Sequence, residues 1–118
     1  MAKGYVAIIL HAHLPYVRDL SPDGALEEDW LYEAIIETYV PLIKVLERLE
    51  AERLPVRLGV SLTPPLLNML SDSVLMQRFK RRLDVLIEMA AEEVKRTKNS
   101  YPFSETAKLY QKILTDTK

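Results

Sequence analysis

The sequence predicts a helix-rich α/β fold in the order β-α-β-α-α, and three observations carry that prediction. Residues 5–10 form an unbroken apolar run, which is typical of a strand covered on both faces. Residues 56–62 alternate apolar and polar side chains, as a strand with one buried face does. Between and after these stretches, apolar residues recur at helical spacing. A strand, a helix and a strand in succession predict a crossover between parallel strands.

The first predicted helix runs from 27 to 52 and contains a proline. Pro41 has no N–H to donate, and its ring would clash with the carbonyl of Glu37, so we expect a kink or a break there. The other predicted elements are a turn at 21–24, a short helix at 65–70, a long amphipathic helix at 72–96 and a last short helix at 103–114.

Composition bounds the possible functions. The 118 residues suit a single domain over 1–118, and a net charge of −1 gives no general basic surface for nucleic acid. The basic residues Arg78, Lys80, Arg81 and Arg82 are expected on a solvated helix face. The absence of cysteine excludes disulfides and thiolate metal sites. The apolar run near the N-terminus is too short for a signal peptide or a membrane span, so we expect a cytoplasmic protein without membrane contact.

Two strands are too few to give a sheet with two buried faces. A full β/α barrel needs about 250 residues. The strand pattern therefore calls for neighbouring strands that these 118 residues do not contain.

His11 and His13 lie at the carboxyl end of the first predicted strand, where sites collect in parallel α/β folds. Residues two apart on a strand point to the same side. The pair could bind a metal or a polar ligand, or one histidine could simply be a satisfied core or rim residue. A zinc site needs at least three protein ligands, so Asp19 or Glu28 would have to complete it.

Trp30, the only tryptophan, follows the loop after the histidines. Its ring could stack on a sugar or pack as a large amphipathic side chain. Thr63 is expected to cap the following helix or form a turn rather than to bind a ligand. Glu27, Glu28 and Glu33 are expected on a solvated helix face rather than in catalysis. No nucleophile motif and no convincing pair of catalytic carboxylates is visible.

Four segments, in this order, resemble glycoside hydrolase family 57 in its branching-enzyme form. They are residues 11–18 (HAHLPYVR), 26–34 (LEEDWLYEA), 37–42 (ETYVPL) and 61–67 (SLTPPLL). The resemblance covers roughly 4–98 and implies an incomplete seven-stranded barrel, of which this chain would be a partial β/α barrel-like unit. It also implies retaining transfer on an α-1,4-glucan, with a Glu nucleophile, an Asp acid/base and no metal or other cofactor. By that resemblance His11, His13 and Trp30 are substrate-binding residues.

The chain departs from the family pattern in its length. In the family, the nucleophile and the acid/base lie far downstream, so no residue here takes either role. We therefore expect the N-terminal portion of an α-1,4-glucan branching enzyme, inactive alone, as a truncated product, one piece of a split enzyme or a fragment. The alternatives are a self-associating or partner-binding module that meets a complementary barrel chain, and an unrelated metal hydrolase using His11 and His13.

Overall fold

The computed structural model describes residues 3–21 and 24–118, so Pro22 and Asp23 of the predicted turn lie outside the described residues. The fold is helix-rich α/β, as predicted, and three helices follow the second strand near the three predicted stretches, although the coarse order β-α-β-α-α counted only two. The elements are β1 (Ile9–Ala12), α1 (Glu28–Ala34), a π-helical turn (Ile35–Tyr39), α2 (Val40–Ala51), β2 (Gly59–Leu62), α3 (Pro64–Ser71), α4 (Ser73–Arg96) and α5 (Phe103–Thr117).

The two strands are parallel, as the sequence predicts, with Ile9 opposite Gly59 and Ala12 opposite Leu62. Both are shorter than predicted and begin later, and β1 continues through His11 instead of stopping before it. The predicted burial of the first strand on both faces is wrong, because Tyr5 is 96% exposed and Ile9 is 71% exposed. The Ile8 carbonyl accepts the Gly59 N–H at 3.1 Å, whereas residues 5–7 make no backbone hydrogen bond to another described residue.

The helix after β1 continues across Pro41 instead of breaking. The disturbance that proline causes is confirmed in position, and it takes the form of the π-helical turn directly before Pro41. There the Val40 N–H donates to the Ile35 carbonyl, five residues back. A widened turn of this kind accommodates the missing N–H and the proline ring without ending the helix.

The core lies among the helices rather than under the sheet. Leu31 of α1, Leu66 and Met69 of α3 and Leu75 of α4 are completely buried in one cluster. A smaller cluster joins Ile36, Leu83 and Leu114, and Phe79 packs against both clusters.

The amphipathic stripe predicted for α4 is confirmed by this packing, but the solvated basic face is only partly so. Lys80, Arg81 and Arg82 are exposed, whereas the Arg78 side chain is only 10% exposed and forms an ion pair with Glu28. Asp72 caps α4, its carboxylate accepting the N–H groups of Val74 at 2.8 Å and Leu75 at 3.1 Å.

The overall dimensions reflect the contrast between the packed helices and the exposed sheet. The radius of gyration is 17.9 Å, against about 13.5 Å for a compact domain of this length. The two-stranded sheet therefore extends from the helical body instead of being enclosed by it. None of the helices within 3–21 and 24–118 combines the length and hydrophobicity that a membrane crossing requires.

Candidate functional site

His11 and His13 stand side by side at the carboxyl end of β1. Their ring centroids are 6.1 Å apart and their planes differ by 7°, so the imidazoles are stacked on one face, as strand alternation predicts. Ser61 lies directly opposite His11 in β2, and its Oγ is 3.2 Å from His11 Nδ1. Both histidines are exposed, which leaves ring nitrogens accessible to a ligand.

The histidines border a concavity of about 640 Å³ between the sheet and the helix after β1. Most of its wall is apolar, and no Asp or Glu is among the described residues that line it. A wall of this kind, with a few polar groups at its edge, suits a ligand that has both apolar and hydroxyl surfaces. The remaining lining residues are Leu10, Ala12, Leu14, Ala34, Thr38, Tyr39, Leu42, Ile43, Leu46, Val60, Leu62 and Leu70.

The loop after the histidines is fixed by a buried carboxylate. Glu28, only 2% exposed, accepts the Asp19 N–H at 3.0 Å and the Tyr32 hydroxyl at 2.9 Å. Its Oε1 is also 2.5 Å from Nη1 of Arg78. The same guanidinium donates through Nη1 to the Asp19 carbonyl and through Nη2 to the Ser21 carbonyl. Burial, together with the Glu28 carboxylate, raises the pKa of Tyr32. The prediction of a solvated Glu28 is therefore wrong, because its carboxylate is enclosed by the loop and Arg78 and fixes the loop in place.

Two further contacts attach the same loop to α3 and to the start of α4. The Val17 N–H donates to the sulfur of Met69 at 3.3 Å. Arg18 Nε lies 2.6 Å from the Asp72 carboxylate, as an ion pair rather than a well-directed hydrogen bond. The pKa of Asp72 is held below its usual value, mainly by the N–H that Leu75 donates to the carboxylate and to a smaller extent by the positive charge of Arg18.

Asp19 and Glu28, the carboxylates that could have completed a metal site with the histidines, both accept backbone N–H groups of the loop instead. Asp19 accepts the Ser21 N–H at 2.6 Å, and this bond lowers the Asp19 pKa. Across the described ranges, no three His, Asp or Glu side chains are grouped so as to hold a metal ion. Within the part of the chain that the structure describes, His11 and His13 are thus a pair of exposed imidazoles without a third metal-ligating group beside them.

Trp30 is not brought into the histidine concavity. It is 54% exposed and lines a separate depression of about 530 Å³ beside the loop from Pro15 to Leu20. Consecutive residues of one segment line the two depressions, with His13 and Leu14 on one side and Pro15 and Tyr16 on the other. The structure therefore joins two of the three predicted site residues and sets the third behind the connecting loop.

Thr63 directly precedes α3, and its hydroxyl does not cap the helix, so of the two predicted roles, cap or turn, the cap is wrong. Thr63 Oγ1 is buried with no hydrogen-bond partner among the residues that the structure describes. Its backbone makes the turn instead, since the N–H donates to Ala12 at 3.2 Å and the carbonyl accepts from Leu67 at 3.0 Å.

Ser61 and Arg78 are the residues that sequence reasoning missed. Strand alternation carried a signal for Ser61, because Val60 and Leu62 face the helix and the residue between them must face the other way, with His11. Nothing in the charge pattern separated Arg78 from its solvated neighbours, because its burial depends on the long-range partner Glu28.

Residues 7–117 of this chain match the sequence model of the protein family described as glycosyl hydrolase family 57. The 1,4-alpha-glucan branching enzyme TK1436 of Thermococcus kodakarensis is 35% identical over 95 residues, covering 79% of this chain and 14% of that protein.

Three solved structures are also similar, and each is matched by 98% of this chain. The alpha-amylase AmyC of Thermotoga maritima gives a TM-score of 0.89 at 43% identity, over 22% of its own chain. The GH57-type branching enzyme of Pyrococcus horikoshii gives 0.85 at 30% identity, over 22% of its chain. TK1436, solved in complex with glucose and additives, gives 0.78 at 30% identity, over 21% of its chain. The sequence thus spans only about a fifth of these structures, and by family match, identity and fold it belongs to glycosyl hydrolase family 57.

Proposed function

We propose that this chain is the N-terminal part of an α-1,4-glucan branching enzyme, which transfers a cut glucan chain to a 6-hydroxyl in glycogen or starch metabolism. His11 and His13 contact the glucan directly. The observation that carries the proposal is their stacked placement at the end of β1, inside residues 11–18, the first of the four segments that resemble the family. One solved relative is named an alpha-amylase, so hydrolysis without branching is the rival reaction of the complete enzyme.

The chemistry of the concavity supports a sugar ligand. Imidazole nitrogens can donate to and accept from sugar hydroxyls, and the apolar side chains that line the neighbouring concavity suit the C–H face of a pyranose. Trp30 contributes an exposed aromatic surface in the neighbouring depression, where a longer glucan chain continues past the loop.

By itself, the 118-residue chain transfers no glucan. Retaining transfer needs two carboxyl groups about 5 Å apart across the scissile bond, and no acidic residue is among those described that line the histidine concavity. The purified chain should leave amylose without new α-1,6 branches, as measured by debranching and chain-length analysis. Branches formed by this chain alone would overturn the proposal of inactivity.

Binding is tested separately from catalysis. Trp30 is the only tryptophan, so its fluorescence reports on the loop while maltoheptaose is added at millimolar concentration. We expect saturable changes in fluorescence and in the NMR signals of both histidines, and weaker binding in His11→Ala and His13→Ala. A Tyr101→Ala variant serves as control, because Tyr101 is exposed and lines neither depression. Equal affinity in all four proteins would contradict the assignment of the histidines.

A second candidate function is self-association or binding of a complementary barrel chain. It is favoured by the exposed apolar side chains of the sheet region, which include Tyr5, Val6, Ile9 and Val60. Light scattering should then give a mass above the 13.6 kDa of one chain. A clean, stable monomer at micromolar concentration would count against this candidate.

We further propose that residues 1–118 act as one domain, equivalent to the N-terminal part of the catalytic barrel, and that the protein is cytoplasmic. The parallel pair β1 and β2, joined by a long helix, supports the partial-barrel arrangement. No cofactor is proposed.

A further inference from the structure

Ser61 is the residue of β2 whose side chain makes a polar contact with one of the two candidate ligand-binding histidines, His11. It pairs with His11 across the parallel ladder, so the two side chains project from the same face. The separation of 3.2 Å between Ser61 Oγ and His11 Nδ1 is within hydrogen-bond range. Over 3–21 and 24–118, neither side chain makes another hydrogen bond, so this contact belongs to no larger structural network.

The contact determines which edge of the imidazole faces outward. A free imidazole can turn about its Cβ–Cγ bond between two broad orientations. Bonding of Nδ1 to Ser61 selects one of them and leaves Nε2 on the far side of the ring, away from β2. The His13 ring lies 6.1 Å away, centroid to centroid, and its plane is within 7° of that of His11, so the two imidazoles share one orientation.

We propose that Ser61 is a positioning residue that holds the His11 ring with Nε2 directed to the open face, as the atom that meets a sugar hydroxyl. The role of Nε2 toward a sugar rests on the proposed function, whereas the fixed orientation of the ring does not. If His11 donates, Nδ1 carries the proton and Nε2 is an acceptor; if Ser61 donates, Nδ1 is the acceptor and Nε2 carries the proton. In either case the hydrogen bond favours one tautomer of the neutral ring.

The orientation is tested without any ligand, by long-range ¹H–¹⁵N NMR of the whole chain above the pH at which imidazoles are charged. Assignment is simple because the sequence has only two histidines. We expect two well-separated ring ¹⁵N shifts for His11, which converge in Ser61→Ala and separate again in Ser61→Thr, which restores a hydroxyl. Unchanged His11 shifts in Ser61→Ala, or averaged shifts already in the wild type, would overturn the inference. The amide spectrum checks that each variant folds.

The second arm measures maltoheptaose binding by the same three proteins. Loss of one positioned hydrogen bond should raise Kd about three- to tenfold in Ser61→Ala, and Ser61→Thr should stay close to the wild type. If the wild type does not bind but the ¹⁵N pattern follows expectation, the proposed function fails and the positioning role of Ser61 stands. If Ser61→Ala binds as tightly as the wild type, the ligand role of Nε2 is wrong.

Discussion

The helical body and the two-stranded sheet contain similar apolar residues in opposite surroundings. Leu31, Leu66 and Leu75 are enclosed where α1, α3 and α4 meet. The strand residues Ile9 and Val60 are as hydrophobic but lie exposed on a sheet with two open edges.

The difference separates two tasks within one small chain. The helical body holds the fold together and fixes the loop after the histidines through Glu28 and Arg78. The sheet presents His11 and His13 and contributes little enclosed apolar surface. Substitutions in the two regions should therefore differ strongly in their effect on stability, which the following experiments measure in decreasing order of effect.

The largest effect is expected for Glu28→Ala. The substitution leaves the buried Arg78 charge without its carboxylate and removes the acceptor of the Asp19 N–H and the Tyr32 hydroxyl. Loss of one partner of a buried ion pair costs about 3–5 kcal/mol. Urea denaturation should show the free energy of unfolding reduced by that amount.

The matched control is Asp29→Ala, one residue along the same helix. Asp29 pairs with Arg82 at 3.0 Å, but both side chains reach solvent. An exposed pair of this kind contributes about 0–1 kcal/mol. Equal losses of unfolding free energy in the two variants would mean that the burial of Glu28 does not contribute to stability. The identification of the helical body as the more stable region would then lose its main support.

The second effect concerns adjacent leucines of α3. Leu66 is 0% exposed and Leu67 is 46% exposed. Truncation of a buried leucine to alanine costs about 2–5 kcal/mol through lost burial and the cavity left behind. We expect that loss in Leu66→Ala and less than about 1 kcal/mol in Leu67→Ala, measured by the same denaturation. A reversed order would show that α3 packs through its other face.

The third effect is a pH dependence of stability through Tyr32. Because the folded pKa of Tyr32 is raised above 10.0, its stabilising contribution is complete below that pH and is lost as the pH rises further. Tyr32→Phe should cost about 1 kcal/mol at pH 7, through the lost hydrogen bond to Glu28. It should also flatten the decline in unfolding free energy between pH 9 and 11. A decline as steep as in the wild type would assign the alkaline effect to other groups.

The sequence predicted what local spacing and chain chemistry determine. The α4 stripe and the shared face of His11 and His13 follow from periodicities of 3.6 and 2. The disturbance before Pro41 follows from a missing N–H. These properties depend on residues a few positions apart.

The remainder depends on partners that are distant in the sequence. Arg78 is buried because Glu28, fifty residues away, supplies a counter-charge, and Trp30 is separated from the histidines by the path of the connecting loop. The apolar run at 5–10 predicted burial that the structure does not provide, because hydrophobicity indicates a need for cover but not whether a neighbour is present.

The smallest stability effect is expected for Ile9→Thr on the sheet. Threonine keeps the β-branched shape that favours a strand, and the lost apolar surface of Ile9 is mostly solvent-exposed already. The free energy of unfolding should change by no more than about 0.5 kcal/mol. If the exposed sheet drives self-association, the same variant should lower the mass measured by light scattering, while Leu67→Ala should not. A loss of stability comparable to that of Leu66→Ala would mean that Ile9 is enclosed in solution, and the contrast between the enclosed helical body and the open sheet would fail at the strand that carries His11.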